Sequence, residues 1–551
     1  DLGIDSIKRV EILGAVQEEC PELPEVDPEV LASMKTLEEI IGCILSTSES
    51  AEAPVPVAPA SLIAEVDSLD TPSEVSRSVA RLKCIPTPDQ LAQSIPQGRS
   101  CVITDDGMAL TSKLSASFAE QGWKVGVLSF PKSVSTKRAN LRDSVQRFEL
   151  TNVDEGTLVG ALKKIESELG APAQFIHLDP AGTEVDSRAI LQTVFLAAKH
   201  LRDALNDAPA DARCSFVTVA HLDGQLGHGG GPFRTIPGGL FGLTKTVNHE
   251  WSDVFCRAID FDASMDAEEA AIRILAECAD PNRSIVEVGY SKLGRVTLVP
   301  RFEVDTDSSA VAGNGKSTIG KDDVFLVSGG AKGVTAECVV KLATVTGTNF
   351  ILLGRSEIAE IPAWADGVFG EADLIQAGMK HLKSTGEKPT PMKVKSLIRP
   401  VESTRAIEDV LQRVEDAGGQ ARYISCDVSD AAMMKTKIDG ITRDFGAVTG
   451  IIHGAGVLAD KLIEDKTLED FRSVYSPKVD GLDAMLRCVE PEQLKHLSLF
   501  SSAAGFFGNP AQSDYSIVNE ILNKAALSFK GEHPECHVTS FNWGPWDGGM
   551  V

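Results

Sequence analysis

Along the chain, apolar and polar positions fall into three regimes. In residues 1–46 the stretch "DLGIDSIKRVEILGAVQEE" places Ile7, Val10, Ile12, Leu13 and Val16 close to helical spacing, so one face of a helix is apolar. A second short helix is predicted around "SMKTLEEIIGCIL". Residues 47–60 lie in "STSESAEAPVPVAPAS", a Ser-, Ala- and Pro-rich run that cannot bury a core and reads as a semi-extended linker. From residue 61 onward short apolar strands alternate with helices, the pattern of a doubly wound α/β sheet.

That alternation occurs twice. "SCVITDDGMALTSKLSASFAEQGWKVGVLSF" matches "DVFLVSGGAKGVTAECVVKLATVTGTNFILLGRS" as strand, turn, helix and strand. "FIHLDPAG" then matches "IIHGAG", "SFVTVAHLDGQLG" matches "LSLFSSAAGFFG", and "FCRAIDF" matches "CHVTSFNW". The expected organisation is α/β with two tandem Rossmann-like units, 61–305 and 321–551, joined by a polar linker at 306–320. The second unit carries an insertion near 357–405, read as one amphipathic helix through Leu374, Ile375, Met379 and Leu382 followed by a tail.

At 551 residues the chain is long enough for three or four units. It opens on Asp1, inside a motif, and is expected to be a piece of something larger, cut short after "NWGPWDGG". A formal charge of -26 argues against nucleic acid or an anionic membrane as partner, because both demand a basic face. The 11 cysteines form no C-x-x-C pair, so neither a metal site nor a disulfide framework is expected, and a reducing, cytoplasmic setting fits best. No apolar run approaches the length of a membrane span.

The two halves differ in chemistry. In the first, the turn after the leading strand is "TDDGMA", where Asp105 and Asp106 would repel a pyrophosphate, so this half is expected to be structural. Its loop "GHGGGPFRTIPGG" follows the wrong strand for a dinucleotide fingerprint and reads as a flexible surface loop. In the second half "SGGAKGVT" supplies Ser328, Gly329, Gly330, Lys332, Gly333 and Val334 between a strand and a helix expected to begin near Ala336. Glycines there permit close backbone approach, and a helix N-terminus attracts phosphate. Thr335 stands where the last glycine of the fingerprint is usual. Arg355, followed by Ser356, ends the second strand where an acidic residue would bind the bare ribose of NAD. A cation there, with Lys332 nearby, favours NADPH. Asp427 and Val428 occupy the place where related folds hold the adenine, and Ala455 and Gly456 follow the fourth strand.

Ser6 is suited to cap a helix. "DLGIDSI" also resembles the attachment site of acyl carrier proteins, which implies a 4'-phosphopantetheine arm on Ser6 and makes residues 1–46 the later part of a carrier domain.

Ser502 stands thirteen residues before Tyr515, a spacing that resembles the short-chain dehydrogenases/reductases, whose tyrosine is tuned by a lysine four residues later. Here that position holds Asn519. Lys461, Lys466, Lys478, Lys495 and Lys524 are the nearby lysines, and Lys478 lies on the helix between the fourth and fifth strands of the half. Ordinary members carry asparagine there. This exchange resembles the ketoreductases of modular polyketide and related fatty acid synthases, over nearly all of residues 61–551. The insertion and "DLGIDSIKRVEIL" resemble more narrowly the multidomain polyunsaturated fatty acid synthases.

The resemblance implies NADPH-dependent reduction of carrier-bound 3-oxoacyl thioesters. Tyr515 would protonate the ketone oxygen, Ser502 orient it, Lys478 favour the phenolate and Asn519 hold the proton relay. Gly544 and Pro545 of "NWGPW" would bring backbone against the nicotinamide. Leu458 and Asp460, with Phe507 in place of a tryptophan, imply a (3R)-hydroxy product. The partners implied are acyl carrier domains and other domains of one synthase. Competing readings are a non-catalytic carrier scaffold, a polyketide substrate, or an epimerase or dehydratase on the same fold.

Overall fold

The computed structural model of the chain describes residues 77–91, 94–180, 185–207, 213–302 and 319–546. The carrier-like segment with Ser6, the linker at 47–60 and most of the joint at 306–320 lie outside the described residues. The first sheet comprises β1 (Ser78–Cys84), β2 (Arg99–Thr104), β3 (Lys124–Ser129), β4 (Val145–Glu149), β5 (Ala171–Leu178), β6 (Ser215–Ala220), β7 (Phe255–Phe261), β8 (Glu287–Ser291) and β9 (Gly294–Phe302). The second comprises β10 (Val324–Ser328), β11 (Asn349–Gly354), β12 (Ala421–Ser425), β13 (Gly450–His453), β14 (His496–Ser502) and β15 (His537–Trp543).

Their orders are β1-β9-β8-β7-β6-β5-β2-β3-β4 and β12-β11-β10-β13-β14-β15. Without β1, β8 and β9 the first sheet, read from its other edge, is β4-β3-β2-β5-β6-β7, the same winding as the second. The duplication read from the strand sequences is therefore a duplication of topology. Every pairing in the second sheet is parallel. Helices cover both faces of such sheets, so the inner strands need apolar residues on both sides. "VFLVS" and "GIIH" are buried throughout.

The halves meet at two crossing helices, Gly239–Glu250 and Ser513–Glu532. At Gly242 an added Cβ would lie 2.3 Å from the Ser516 carbonyl oxygen. Gly505 also packs on the second of these helices, where a Cβ would sit 2.9 Å from that of Asn519. One apolar core runs from Phe195, Phe241 and Trp251 of the first half into Phe471, Tyr475, Ile517 and Tyr515 of the second.

The C-terminal end of the glycine-rich loop is part of this contact, while Gly229, Gly230 and Pro232 are exposed as the surface-loop reading expects. Pro237, Gly238 and Gly239 are buried, and a Cβ on Gly238 would meet Lys524 Cγ at 2.4 Å. Arg234 donates to the Pro180 carbonyl at 2.8 Å and to Ser187 Oγ at 3.0 Å. At Gly238 glycine is required for close packing, a use that composition does not separate from flexibility.

The insertion also departs from expectation. The predicted helix is present as Glu371–Ser384, but the supposed tail opens a second helix, Pro391–Asp416. The two bury Leu374, Leu382, Val394, Ile398 and Val401 in a small core of their own, while Met379 is exposed. A proline at the first turn and one inside, Pro400, hid the helix, because proline is a helix-breaking signal in the interior and a tolerated residue only at the start. No helix among the described residues is long and apolar enough to cross a membrane.

Candidate active site

A cavity of about 1430 Å³ opens along the C-terminal ends of the second sheet's strands, where ligands bind in open α/β sheets. Its wall includes Gly329, Lys332, Gly333, Val334, Arg355, Asp427, Val428, Ala455, Gly456, Leu458, Asp460, Lys478, Ser502, Phe507, Tyr515, Gly544 and Pro545. Most residues singled out in the sequence thus share one wall although they are far apart in the chain.

Tyr515 lies in the first turn of its helix and is 8% exposed. Burial pushes its phenol above the ordinary value, opposed by hydrogen bonding from the Asn519 and Ser502 side chains. Ser502 caps the short helix Ala503–Phe507, its Oγ accepting from the Ala504 N–H at 3.2 Å. The hydroxyl proton remains available to the cavity.

The five candidate lysines separate by their partners. Lys461 pairs with Asp470, Lys466 with Asp514, Lys495 with Asp323 and Lys524 with Glu520. Among the described residues Lys478 alone of the five has no carboxylate: its Nζ donates to the Phe500 carbonyl at 2.7 Å and lies 5.6 Å from the centre of the Tyr515 ring. It occupies a wide turn, Ser476–Asp480, between the helices Leu468–Tyr475 and Gly481–Arg487. Burial without a counter-charge lowers its pKa to about 7.

A histidine fixes that turn. His453 Nε2 lies 2.8 Å from the Lys478 carbonyl and Nδ1 lies 2.7 Å from Ser328 Oγ. A carbonyl only accepts, so Nε2 carries the proton and Nδ1 accepts from the Ser328 hydroxyl. Burial lowers the imidazole pKa to about 3, which keeps this neutral form. Ser328 Oγ also accepts from the N–H groups of Gly454 and Ala455 at 3.2 and 3.1 Å. Ser328 is fully buried and does not line the cavity, which corrects its reading as a cofactor ligand. The first half repeats the pair, with Thr104 Oγ1 2.9 Å from His177 Nδ1. There His177 Nε2 is buried without a partner among the described residues.

Gly330 and Ser356 are likewise absent from the wall. A Cβ on Gly330 would meet Val327 at 2.7 Å, so that glycine serves packing beneath the turn, and the Ser356 carbonyl accepts from Tyr423 Oη at 2.7 Å. Asn519 stands behind Tyr515, fully buried, with Nδ2 donating to the Tyr515 carbonyl at 2.8 Å and Oδ1 unpartnered among the described residues. The helix expected near Ala336 begins at Gly333, capped by Lys332 in extended geometry.

The remaining wall fits a dinucleotide. Gly329 and Gly333 have φ of +70° and +59°, which lets the backbone turn tightly; the Gly329 N–H is taken by the Leu353 carbonyl at 3.0 Å, and the helix start at Gly333 is the end that attracts phosphate. Thr335 occupies the space a Cβ on Gly454 would need, 2.2 Å from Oγ1, so the threonine at the fingerprint's last position is matched by a glycine opposite. In the first half the corresponding turn is filled by the protein's own acids. Asp106 accepts from the Met108 and Thr111 N–H groups, and Asp105 from Gly107 N–H and Ser129 Oγ while pairing with Arg147. The sequence reading missed Arg399, Gln512, Trp543 and Trp546 on the cavity wall. Arg399 comes from the insertion, where no pattern marks it.

Residues 324–548 match the family model described as KR domain. The chain is 34% identical over 571 aligned residues, its whole length, to a polyunsaturated fatty acid synthase polypeptide of Thraustochytrium sp., of which it spans 20%. It is 24% identical over 310 residues to the polyketide synthase PksL of Bacillus subtilis, covering 55% of this chain and 6% of that one. Among solved structures, an N-terminal ketoreductase from the macrolactin assembly line superposes with a TM-score of 0.61 at 17% identity, over 86% of this chain and 83% of the other. An A1-type ketoreductase gives 0.59 at 17%, over 86% and 83%. These two likenesses speak for the fold alone. Residues 324–548 therefore match the KR domain family, within a chain that is similar over its whole length to part of a polyunsaturated fatty acid synthase polypeptide.

Proposed function

We propose that the chain reduces the 3-oxo group of carrier-bound 3-oxoacyl thioesters to (3R)-hydroxyacyl thioesters with NADPH. The observation that carries this reading is Lys478, a buried amine without a carboxylate among the described residues, directed at the ring of Tyr515 with Ser502 on the same wall. NADPH, when bound, supplies hydride to the ketone carbon. Gly329, Gly333 and the first turn of the helix Gly333–Thr346 would hold its phosphates, Lys332 and Arg355 the 2'-phosphate, Asp427 and Val428 the adenine side, and Gly544 and Pro545 the nicotinamide side.

As negative charge grows on the ketone oxygen, the Ser502 hydroxyl donates a hydrogen bond to it and Tyr515 Oη gives up its proton. The Lys478 ammonium stabilises the phenolate left behind; each pKa unit by which it does so corresponds to about 1.4 kcal/mol. Asn519, buried behind Tyr515 with its Oδ1 unpartnered among the described residues, would hold by hydrogen bonding the relay through which solvent returns the proton to Tyr515. Asp460, held by Gln512 Nε2 at 2.9 Å, and Leu458 line one side of the entrance, with Phe507 on the wall as well. That arrangement supports entry of the acyl arm from the side that yields the (3R) alcohol.

The carrier reading of Ser6 belongs to the same proposal. A phosphopantetheinyl transferase should add the mass of the arm to Ser6 in a complete carrier domain. The function itself is tested by supplying NADPH and a 3-oxoacyl thioester and resolving the product by chiral chromatography. A (3R)-hydroxyacyl product is expected. Absence of NADPH oxidation would remove the enzymatic reading, and a (3S) product would remove the stereochemical one.

A further inference from the structure

The cavity wall carries three cations from three separate elements: Lys332 at the glycine turn, Arg355 at the end of β11, and Arg399 from the insertion helix Pro391–Asp416. None forms an ion pair among the described residues. The acids nearest them are engaged differently. Asp427 accepts from the Ser429 N–H at 2.9 Å and from its hydroxyl at 2.6 Å, and Glu402, close to Lys332, makes no ion pair with it.

Arg399 is brought to this place by packing. The insertion helix lies against Gly333–Thr346, tied by Arg413 to Glu337 at 2.7 and 2.9 Å. One turn after Arg399, Ser403 Oγ accepts from Lys332 Nζ at 2.6 Å, so positions 399 and 403 present the same helix face to the glycine turn. The two cations sense each other: burial lowers the Lys332 pKa, and the Arg399 charge adds to that shift. Pro400, directly after Arg399, has no N–H for the Ser396 carbonyl, so the helix hydrogen bonding is interrupted where the chain passes the cavity. Glu402 and Asp427 offset this charge only at a distance, and a cluster of cations without ion pairs on a cavity wall attracts an anion.

A phosphate monoester carries close to two negative charges at neutral pH, and planar guanidinium groups bind it in forked geometry. We propose that Arg399, supplied by the insertion, is a specificity-determining residue that joins Arg355 and Lys332 around the 2'-phosphate of NADPH. This rests on the NADPH reading above and extends it to the insertion, whose contribution becomes selection of the phosphorylated cofactor.

The test uses the full chain and measures dissociation constants by tryptophan fluorescence for NADPH, NADH and adenosine 2',5'-bisphosphate. It compares the wild type with Arg399→Ala, Arg399→Lys and Arg355→Ala. Arg399 is exposed, and thermal melting checks that each variant folds like the wild type. Loss of one charge-assisted contact should weaken NADPH and the bisphosphate about tenfold and leave NADH within about twofold, with Arg399→Lys intermediate. Equal weakening of NADPH and NADH, or no weakening, in Arg399→Ala while the wild type and Arg355→Ala still show the phosphate preference would overturn the role of Arg399 alone. A wild type that binds NADH as tightly as NADPH would overturn the cofactor reading, and this inference with it.

Discussion

At Lys478 two demands oppose each other: its place beside Tyr515 calls for a positive charge, and its burial disfavours one. With the pKa lowered to about 7, the amine is charged below that pH and loses its charge above it. The value of kcat/KM for NADPH reports ionisations of the free enzyme, so it should fall as pH rises through about 7. Lys478→Arg, which keeps its charge, should lower the rate but remove that pH dependence. A flat wild-type profile from about pH 6 to 9 would show that the charge on Lys478 plays no part. At the other end of the cavity, Arg355→Ala should reduce preference for NADPH over NADH by roughly one to two decades, the worth of a charge-assisted hydrogen bond. Equal losses for both cofactors would refute that contact. Single residues differed in how legible they were. Lys478 could be singled out because it lies on the helix between the fourth and fifth strands, where the resembling short-chain reductases carry asparagine. Ser328 was misread because a hydroxyl at a strand end looks the same in sequence whether it faces a ligand or His453.

The elements that carry these residues are held by close approaches. Gly242 belongs to the half whose phosphate turn is filled by Asp105 and Asp106, yet it touches the backbone of Ser516, next to Tyr515. Gly242→Leu would force the two helices apart. Overpacking of this kind costs about 1 to 3 kcal/mol, so melting temperature should drop, and turnover should drop with it because the Tyr515 helix shifts. Wild-type stability and turnover in this variant would mean that the crossing does not position Tyr515. Strands and the main helices were readable from apolar periodicity, since burial on both faces leaves continuous runs such as "VFLVS". The second insertion helix was not, because Pro400 interrupts it. The packed end of the glycine loop was misread because tertiary packing, which the local sequence does not contain, decides whether glycine marks freedom or contact.

For the molecule as a whole, repeated topology was legible, but the way the repeats share one interior was not. Glu520, next to Asn519, is buried with Lys524 at 2.8 Å and Lys245 of the other half at 3.7 Å. Burial alone would raise its pKa, but the two lysines hold it below the ordinary carboxylate range. Glu520→Ala would leave the buried Lys524 ammonium without its carboxylate, while Lys245 keeps Glu287 at 3.2 Å, a loss of about 3 to 5 kcal/mol. Because the core also crosses between the halves, hydrogen exchange in β5 and β13 should accelerate together in this variant. Acceleration confined to one sheet would show that the halves are independent. The central claim, that this shared interior positions a tyrosine as the proton donor of a ketone reduction, is tested most directly by Tyr515→Phe. NADPH consumption with a 3-oxoacyl thioester and NADPH dissociation constant are measured on the same preparation. The account predicts that reduction is lost while NADPH affinity stays within about twofold of wild type, since only the proton donor is removed. Turnover comparable to wild type would contradict it.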